Sequence, residues 1–240
     1  MMETAALILF VGFVALGFIS FGFSLYFGAA SFKKTHKTGY SLLSDFPFEL
    51  FEAKDSLSNL GRVFFFIYAA CSLGQGALIL ILQGNASFQY LLGLGVILLL
   101  LKGGEIGTML GLTYVPAYDT KRHLALFVAF GGVSFLEALV SGFTSLNLGK
   151  MLPEAPTLSY AFMIVFFVIA LVLGILMLNP KLTRWPELKT EMSEDGSILT
   201  VRPRPFILAF SEWIVVFSNL VVQILLGAEI LAFCFQLESI

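Results

Sequence analysis

The chain has 240 residues, of which 58% are hydrophobic and 12% charged, about half the charged share of an ordinary soluble domain. A water-facing surface needs far more than 14 Lys and Arg with 16 Asp and Glu, whereas a lipid-facing surface needs almost none, so a soluble globular protein is excluded. Net charge −2 and a pI near 5.7 come without any long basic stretch, which argues against nucleic acid as a partner.

A helix needs about 20 apolar residues to cross about 30 Å of hydrocarbon. Six such runs predict spans near 4–30, 61–83, 88–112, 123–146, 158–178 and 206–236. The N-terminus turns apolar right after Met1-Met2-Glu3, with neither the basic region nor the cleavage boundary of a signal peptide, so the first helix is expected to be retained. Gly84-Asn85, Pro116, Pro153, Pro156, Asn179-Pro180 and the Pro203/Pro205 pair punctuate the later connections. The expected architecture is all-α: a polytopic integral membrane protein, one six-transmembrane-helix bundle over residues 1–240, with cytoplasmic loops at 31–60, 113–122 and 179–205.

Basic residues orient it. Lys33, Lys34, Lys37, Lys54, Arg62, Lys121, Arg122, Lys181, Arg184, Lys189, Arg202 and Arg204 fall at one end, and only Lys150 at the other. Basic connections stay cytoplasmic, so the N- and C-termini are expected outside, in the plasma membrane. The Asn85-Ala86-Ser87 sequon would then face outward, too close to two helix ends to be glycosylated.

In the first connection Asp45 can cap a short helix placing Phe46, Leu50, Phe51 and Leu57 broadly opposite Glu49, Glu52 and Lys54, as expected of a helix lying on the membrane surface. In the fifth, 187–192 and 198–202 flank Ser193-Glu194-Asp195-Gly196, which reads equally as a hairpin or a loop.

Polar stripes predict which helices meet. Glu212, Asn219 and Gln223 are seven and eleven residues apart, within about 40° on one helix. Span four carries Ser134, Glu137, Ser141 and Thr144; span three, Lys102, Glu105 and Thr108; span one, Gly17, Ser20, Ser24 and Gly28; span two, Ser72 and Gln75. Span five has no polar stripe and should be peripheral, leaving spans three, four and six as the centre. By depth, Lys102, Glu105, Glu137 and Glu212 can share one cavity, with Asn219 and Gln223 lining it and Glu229 off the stripe near the outer water.

Three carboxylates with one ammonium leave two negative charges in a low-dielectric setting, which calls for protons, a cation or a basic ligand. A structural reading stands beside this: Lys102 pairs with Glu105 or Glu137 to fix helix register, and Glu212 snorkels beside Trp213. Contact with another subunit's helix is a third. Gly103-Gly104 can loosen the helix so that carbonyls coordinate a cation, and can equally be packing residues.

Catalytic tools are scarce. His36 and His123 sit in a basic loop and at a helix start, and every Asp lies in a loop. Ser72, in Ala70-Cys71-Ser72-Leu73-Gly74, has no histidine within a span to serve as its base. Asp119, Lys121, Arg122 and His123 read as a charged corner for topology and headgroup contact. Cys71 and Cys234 lie at depths too different for a disulfide. No enzyme, metal or cofactor is expected. The reading is a small transporter or proton/cation-coupled membrane component, alternatively a non-catalytic accessory subunit; its partners are the bilayer, a small ion or solute, and other membrane subunits or copies of itself.

The basic asymmetry makes the topology testable. Single cysteines replacing Lys33 and Lys189 should be blocked only by reagents that enter the cytoplasm, and one replacing Asn85 should react from outside. Labelling of position 189 from outside intact cells overturns the orientation.

Overall fold

Among the described residues, a computed structural model of the chain has six helices long and apolar enough to cross a membrane. They are α1 (Met2–His36), α2 (Ser56–Asn85), α3 (Gln89–Leu112), α4 (Thr120–Met151), α5 (Pro156–Met177) and α6 (Ile207–Glu238). The structure describes residues 2–36, 39–85, 89–116, 119–151, 156–179, 189–192, 198–201 and 205–238. The multi-pass architecture expected from the apolar runs is therefore the one found. Several helices reach past the hydrocarbon length: α1 runs on to His36 and α2 begins at Ser56, which shortens the first connection relative to 31–60. In the fifth connection the hairpin alternative holds, with β1 (Lys189–Met192) antiparallel to β2 (Ile198–Val201) and Lys189 opposite Val201.

Helix α6 packs against α1, α2, α4 and α5, while α3 packs against α2 and α4. Helices α2, α3, α4 and α6 thus form a square with α3 and α6 at opposite corners; α1 lies along α2 and α6, and α5 along α4 and α6. This corrects the expected centre of spans three, four and six: α2 and α6 are the most enclosed helices. Helix α2 carries fewer strongly polar groups, but Ser58, Tyr68, Ser72 and Gln75 on it are all buried. The expectation for span five holds, since α5 is the least enclosed helix and exposes Val168, Leu171 and Ile175, as lipid contact allows.

The first connection departs most from expectation. Residues Pro47–Phe51 form a 3-10 helix, every residue of which is buried, so the segment does not lie on a surface. It is wedged among α1, α2 and α6. Its amphipathic reading fails because Glu49 finds a partner inside: the carboxylate accepts the Phe46 N–H at 2.9 Å. Phe46, not Asp45, is the residue at which the helix starts. Asp45 instead accepts the Ser41 N–H at 2.7 Å, and its carbonyl accepts from Trp213 Nε1 on α6 at 3.1 Å. The Tyr40 hydroxyl donates to the carbonyl of Phe46 at 2.8 Å. Burial, followed by the Glu49 charge, pushes the Tyr40 phenol well above its ordinary range, which keeps it a donor. Arg62 donates to the carbonyl of Phe51 and closes the other end of the turn. Beyond it, Asp55 caps α2 by accepting the Ser58 N–H at 2.8 Å; that bond, with the Ser31 hydroxyl, holds its carboxyl below the usual range.

Phe46, Phe48, Leu50 and Phe51 are at most 2% exposed, and the rings of Phe48 stack edgewise on Phe65 and Phe130. Such a wedge needs helices that leave room for it. A Cβ at Gly28 would sit 2.7 Å from the Leu50 Cβ, and one at Gly61 would sit 3.2 Å from the Ser24 carbonyl and 3.3 Å from Phe51. Part of the small-residue face read on span one thus seats the plug as well as α2.

This close approach carries a prediction. Gly28→Ala should destabilise the protein by about 1–3 kcal/mol, because Leu50 must move off its seat. Gly12→Ala, with nothing within 4 Å of its added Cβ, should be neutral or slightly stabilising. Melting curves in detergent decide between the two, and equal curves for both variants would show that the plug is loosely seated.

Candidate functional site

Helices α3 and α4 bring three of the expected residues together. Lys102 Nζ lies 2.8 Å from Glu137 Oε1 and makes a closer contact with Glu105 one turn along its own helix. All three side chains are almost wholly enclosed, at 3%, 1% and 3% exposure for Lys102, Glu105 and Glu137. An ammonium removed from water costs several kcal/mol unless well paired, and here two carboxylates face it. Glu137 Oε2 is buried with no hydrogen-bond partner.

Glu212 does not join them. Its Oε1 lies 2.8 Å from His123 Nε2, on the first turn of α4, and neither side chain is more than 1% exposed. This corrects two expectations: Glu212 neither shares the Lys102 cavity nor snorkels to headgroups, and His123 is no surface corner. The pair has a definite proton count. His123 Nδ1 faces the Val115 carbonyl at 3.3 Å, and a carbonyl can only accept, so Nδ1 carries hydrogen. One further proton sits between Nε2 and Oε1, making either imidazolium–carboxylate or imidazole–carboxylic acid. The Phe46 ring of the plug lies against the imidazole, with centroids 5.0 Å apart.

Asn219 and Gln223 are buried as the stripe required, but they tie helices rather than touch the charges. Asn219 Nδ2 donates to Ser134 Oγ at 2.9 Å, and that hydroxyl donates to the Phe130 carbonyl. Gln223 accepts from Ser72 Oγ at 3.1 Å and donates to the Ser72 carbonyl at 2.8 Å. Glu229, expected to reach water, is 2% exposed and accepts from Ser145 Oγ on α4. The six expected residues therefore divide into a Lys102–Glu105–Glu137 triad, a separate Glu212 paired with His123, and two neutral ties.

His123 and Tyr68 are the participants that the sequence reading passed over. His123 lies one turn into α4 and Glu212 a little over one turn into α6, at the same end of the bundle, so counting the histidine's depth like the carboxylates' would have paired them. Tyr68 lies close enough to Lys102, Glu105 and Glu137 for their charges to act on it, and a tyrosine among 26 Phe gives no such signal. Cys71 is a buried free thiol, while the side chain of Cys234 lies outside the described residues.

Compared with known protein families, with curated proteins and with solved structures, the chain matches none.

The division of the charges sets the expected couplings. Lys102→Met and Glu137→Gln should each destabilise the fold, and the double variant should show a coupling of about 0.5–3 kcal/mol. Glu212→Gln should couple to His123→Gln by a similar amount and add to Lys102→Met within about 0.5 kcal/mol. Chemical or thermal melting of singles and doubles in detergent measures this. Strong coupling of Glu212 to Lys102 would show that the two clusters are one.

Proposed function

We propose that this multi-pass membrane protein is a small proton- or cation-coupled transporter of the plasma membrane, with Lys102, Glu105 and Glu137 as its coupling site. The carrying observation is the crowding of two carboxyls on one ammonium: Lys102 engages Glu105 and Glu137 Oε1, Glu137 Oε2 is buried without a donor, and the Glu105 and Glu137 carboxyls lie within hydrogen-bonding reach of each other. Two carboxylates against one ammonium leave one negative charge inside hydrocarbon, and a proton or a cation there neutralises it. Intramembrane charge of this kind is retained chiefly where it does work. In this reading Glu212 with His123 takes up or releases a proton nearer the basic end, and Asn219 and Gln223 hold α6 against α4 and α2 beside the site.

A second reading, an accessory subunit of a larger membrane complex, is favoured by the small room left around the helices: among the described residues, a cavity under the plug and one between α1, α2 and α6 each have room for about 10 Å3.

Reconstitution into liposomes carrying a pH-sensitive dye separates the two. The wild type should move protons in response to an imposed cation or solute gradient, and Glu137→Gln should abolish this while its melting curve still shows a folded protein. A wild type with neither flux nor pH-dependent cation binding would overturn the transporter reading and leave the accessory one.

A further inference from the structure

Toward the end of α6 opposite to Glu212, Glu229 meets Ser145 of α4, and both side chains are buried. Among the described residues no cation pairs with this carboxyl. Lys150, on a later turn of α4, is exposed, and Tyr160 of α5 is half-buried and makes no hydrogen bond to it. The described side chains of the other two neighbours at that end, residues 5–10 of α1 and 78–82 of α2, are apolar. The Ser159 hydroxyl of α5 lies nearby, and Glu229 Oε1 is nonetheless buried with no hydrogen-bond partner. A count of hydrogens decides the form of the carboxyl. Ser145 Oγ, with one hydrogen to give, touches both the Ser141 carbonyl, at 3.2 Å, and Glu229 Oε2, in a closer contact. With Glu229 ionised, both partners can only accept, and they compete for that hydrogen. A proton on Oε2 resolves the competition: Glu229 donates to Ser145 Oγ, and Ser145 donates to the Ser141 carbonyl. Oε1 is then the carbonyl oxygen of a neutral acid, which costs far less to bury bare than an anion does.

We infer that Glu229 is a proton-binding site, occupied as a neutral carboxylic acid that ties α6 to α4 through Ser145. Loss of the proton has two consequences at once. Ser145 must turn its hydrogen from the Ser141 carbonyl to the carboxylate, and a negative charge is left among apolar helices with no counter-charge in contact. The site differs in kind from the other two buried acidic clusters, each of which sets a carboxylate against a cationic or protonatable nitrogen. It does not rest on the transporter reading, since the hydrogen count is the same in a transporter and in an accessory subunit.

Infrared spectra of the full-length protein in liposomes at neutral pH test the inference. Glu229→Gln should remove one carboxylic C=O band that Glu137→Gln leaves in place. The amide offers an N–H where the acid offers its O–H, so the tie and the fold should survive the change. A Glu229→Gln spectrum that loses carboxylate bands and no carboxylic band shows an ionised Glu229 and overturns the inference. Melting adds a second readout. Raising the pH until the C=O band disappears should lower the melting temperature of the wild type more steeply than that of Glu229→Gln, which has no proton to lose there. Melting temperatures that fall in parallel overturn the inference. Should Glu229→Gln fail to fold, Ser145→Ala decides. The acid then has no hydroxyl to receive its hydrogen, and its C=O band should move to higher frequency; a carboxylic region identical to the wild type's overturns the inference. Failure of proton flux in liposomes removes the transporter reading and leaves each of these outcomes unchanged.

Discussion

Lys102 cannot reach water, and much of the bundle follows from that. An ammonium in the middle of a hydrocarbon-spanning structure needs counter-charge within contact distance, which α3 supplies through Glu105 and α4 through Glu137. Apolar side chains leave lipid for protein at little gain, so association of membrane helices relies on close packing and on polar ties. The triad pins α3 to α4. Asn219 with Ser134 pins α6 to α4, and Gln223 with Ser72 pins α6 to α2. Every side of the α2–α3–α4–α6 square except α2–α3 therefore carries a named polar contact, and α1 and α5 attach outside it.

The plug obeys the same constraint by another route. Buried backbone outside the α-helices must have its polar groups satisfied by protein. Trp213 and Tyr40 serve the carbonyls of Asp45 and Phe46, Glu49 serves the Phe46 N–H, and Arg62 serves the Phe51 carbonyl. With its polar atoms accounted for, the segment can present Phe46, Phe48 and Phe51 to the helices as an aromatic stopper. Phe46 touches His123 and Phe206, so the plug and the His123–Glu212 pair share one wall.

The fold was legible because its signal is collective: six long apolar runs need no knowledge of partners. The stripes were legible too, and Glu212, Asn219, Gln223, Ser134 and Glu137 are all buried as their spacing demanded. What the spacing lacked was direction across the bundle. Depth placed Glu105 and Glu212 level with each other, yet α3 and α6 stand at opposite corners of the square, and no one-dimensional pattern reveals that. Glu229 was misread for a related reason. Like Glu212 and Asn219 it meets α4, here through Ser145, so its place off the main stripe reflects rotation about α6 and not exposure to water. The plug was misread because amphipathic spacing assumes that a charge points to solvent, whereas Glu49 spends its charge on a backbone N–H.

Dividing the carboxylates has an electrostatic consequence that one shared cavity would not. Lys102, Glu105, Glu137 and Glu212 together would concentrate two uncompensated negative charges in one low-dielectric space. Split as they are, the triad carries one excess charge, and Glu212 shares its proton with His123 in a pair that is formally neutral in either arrangement. Each cluster then differs from neutrality by no more than a single proton or monovalent cation. The helix arrangement sets both balances through one element: α4 contributes a partner to each cluster, Glu137 to the first and His123 to the second.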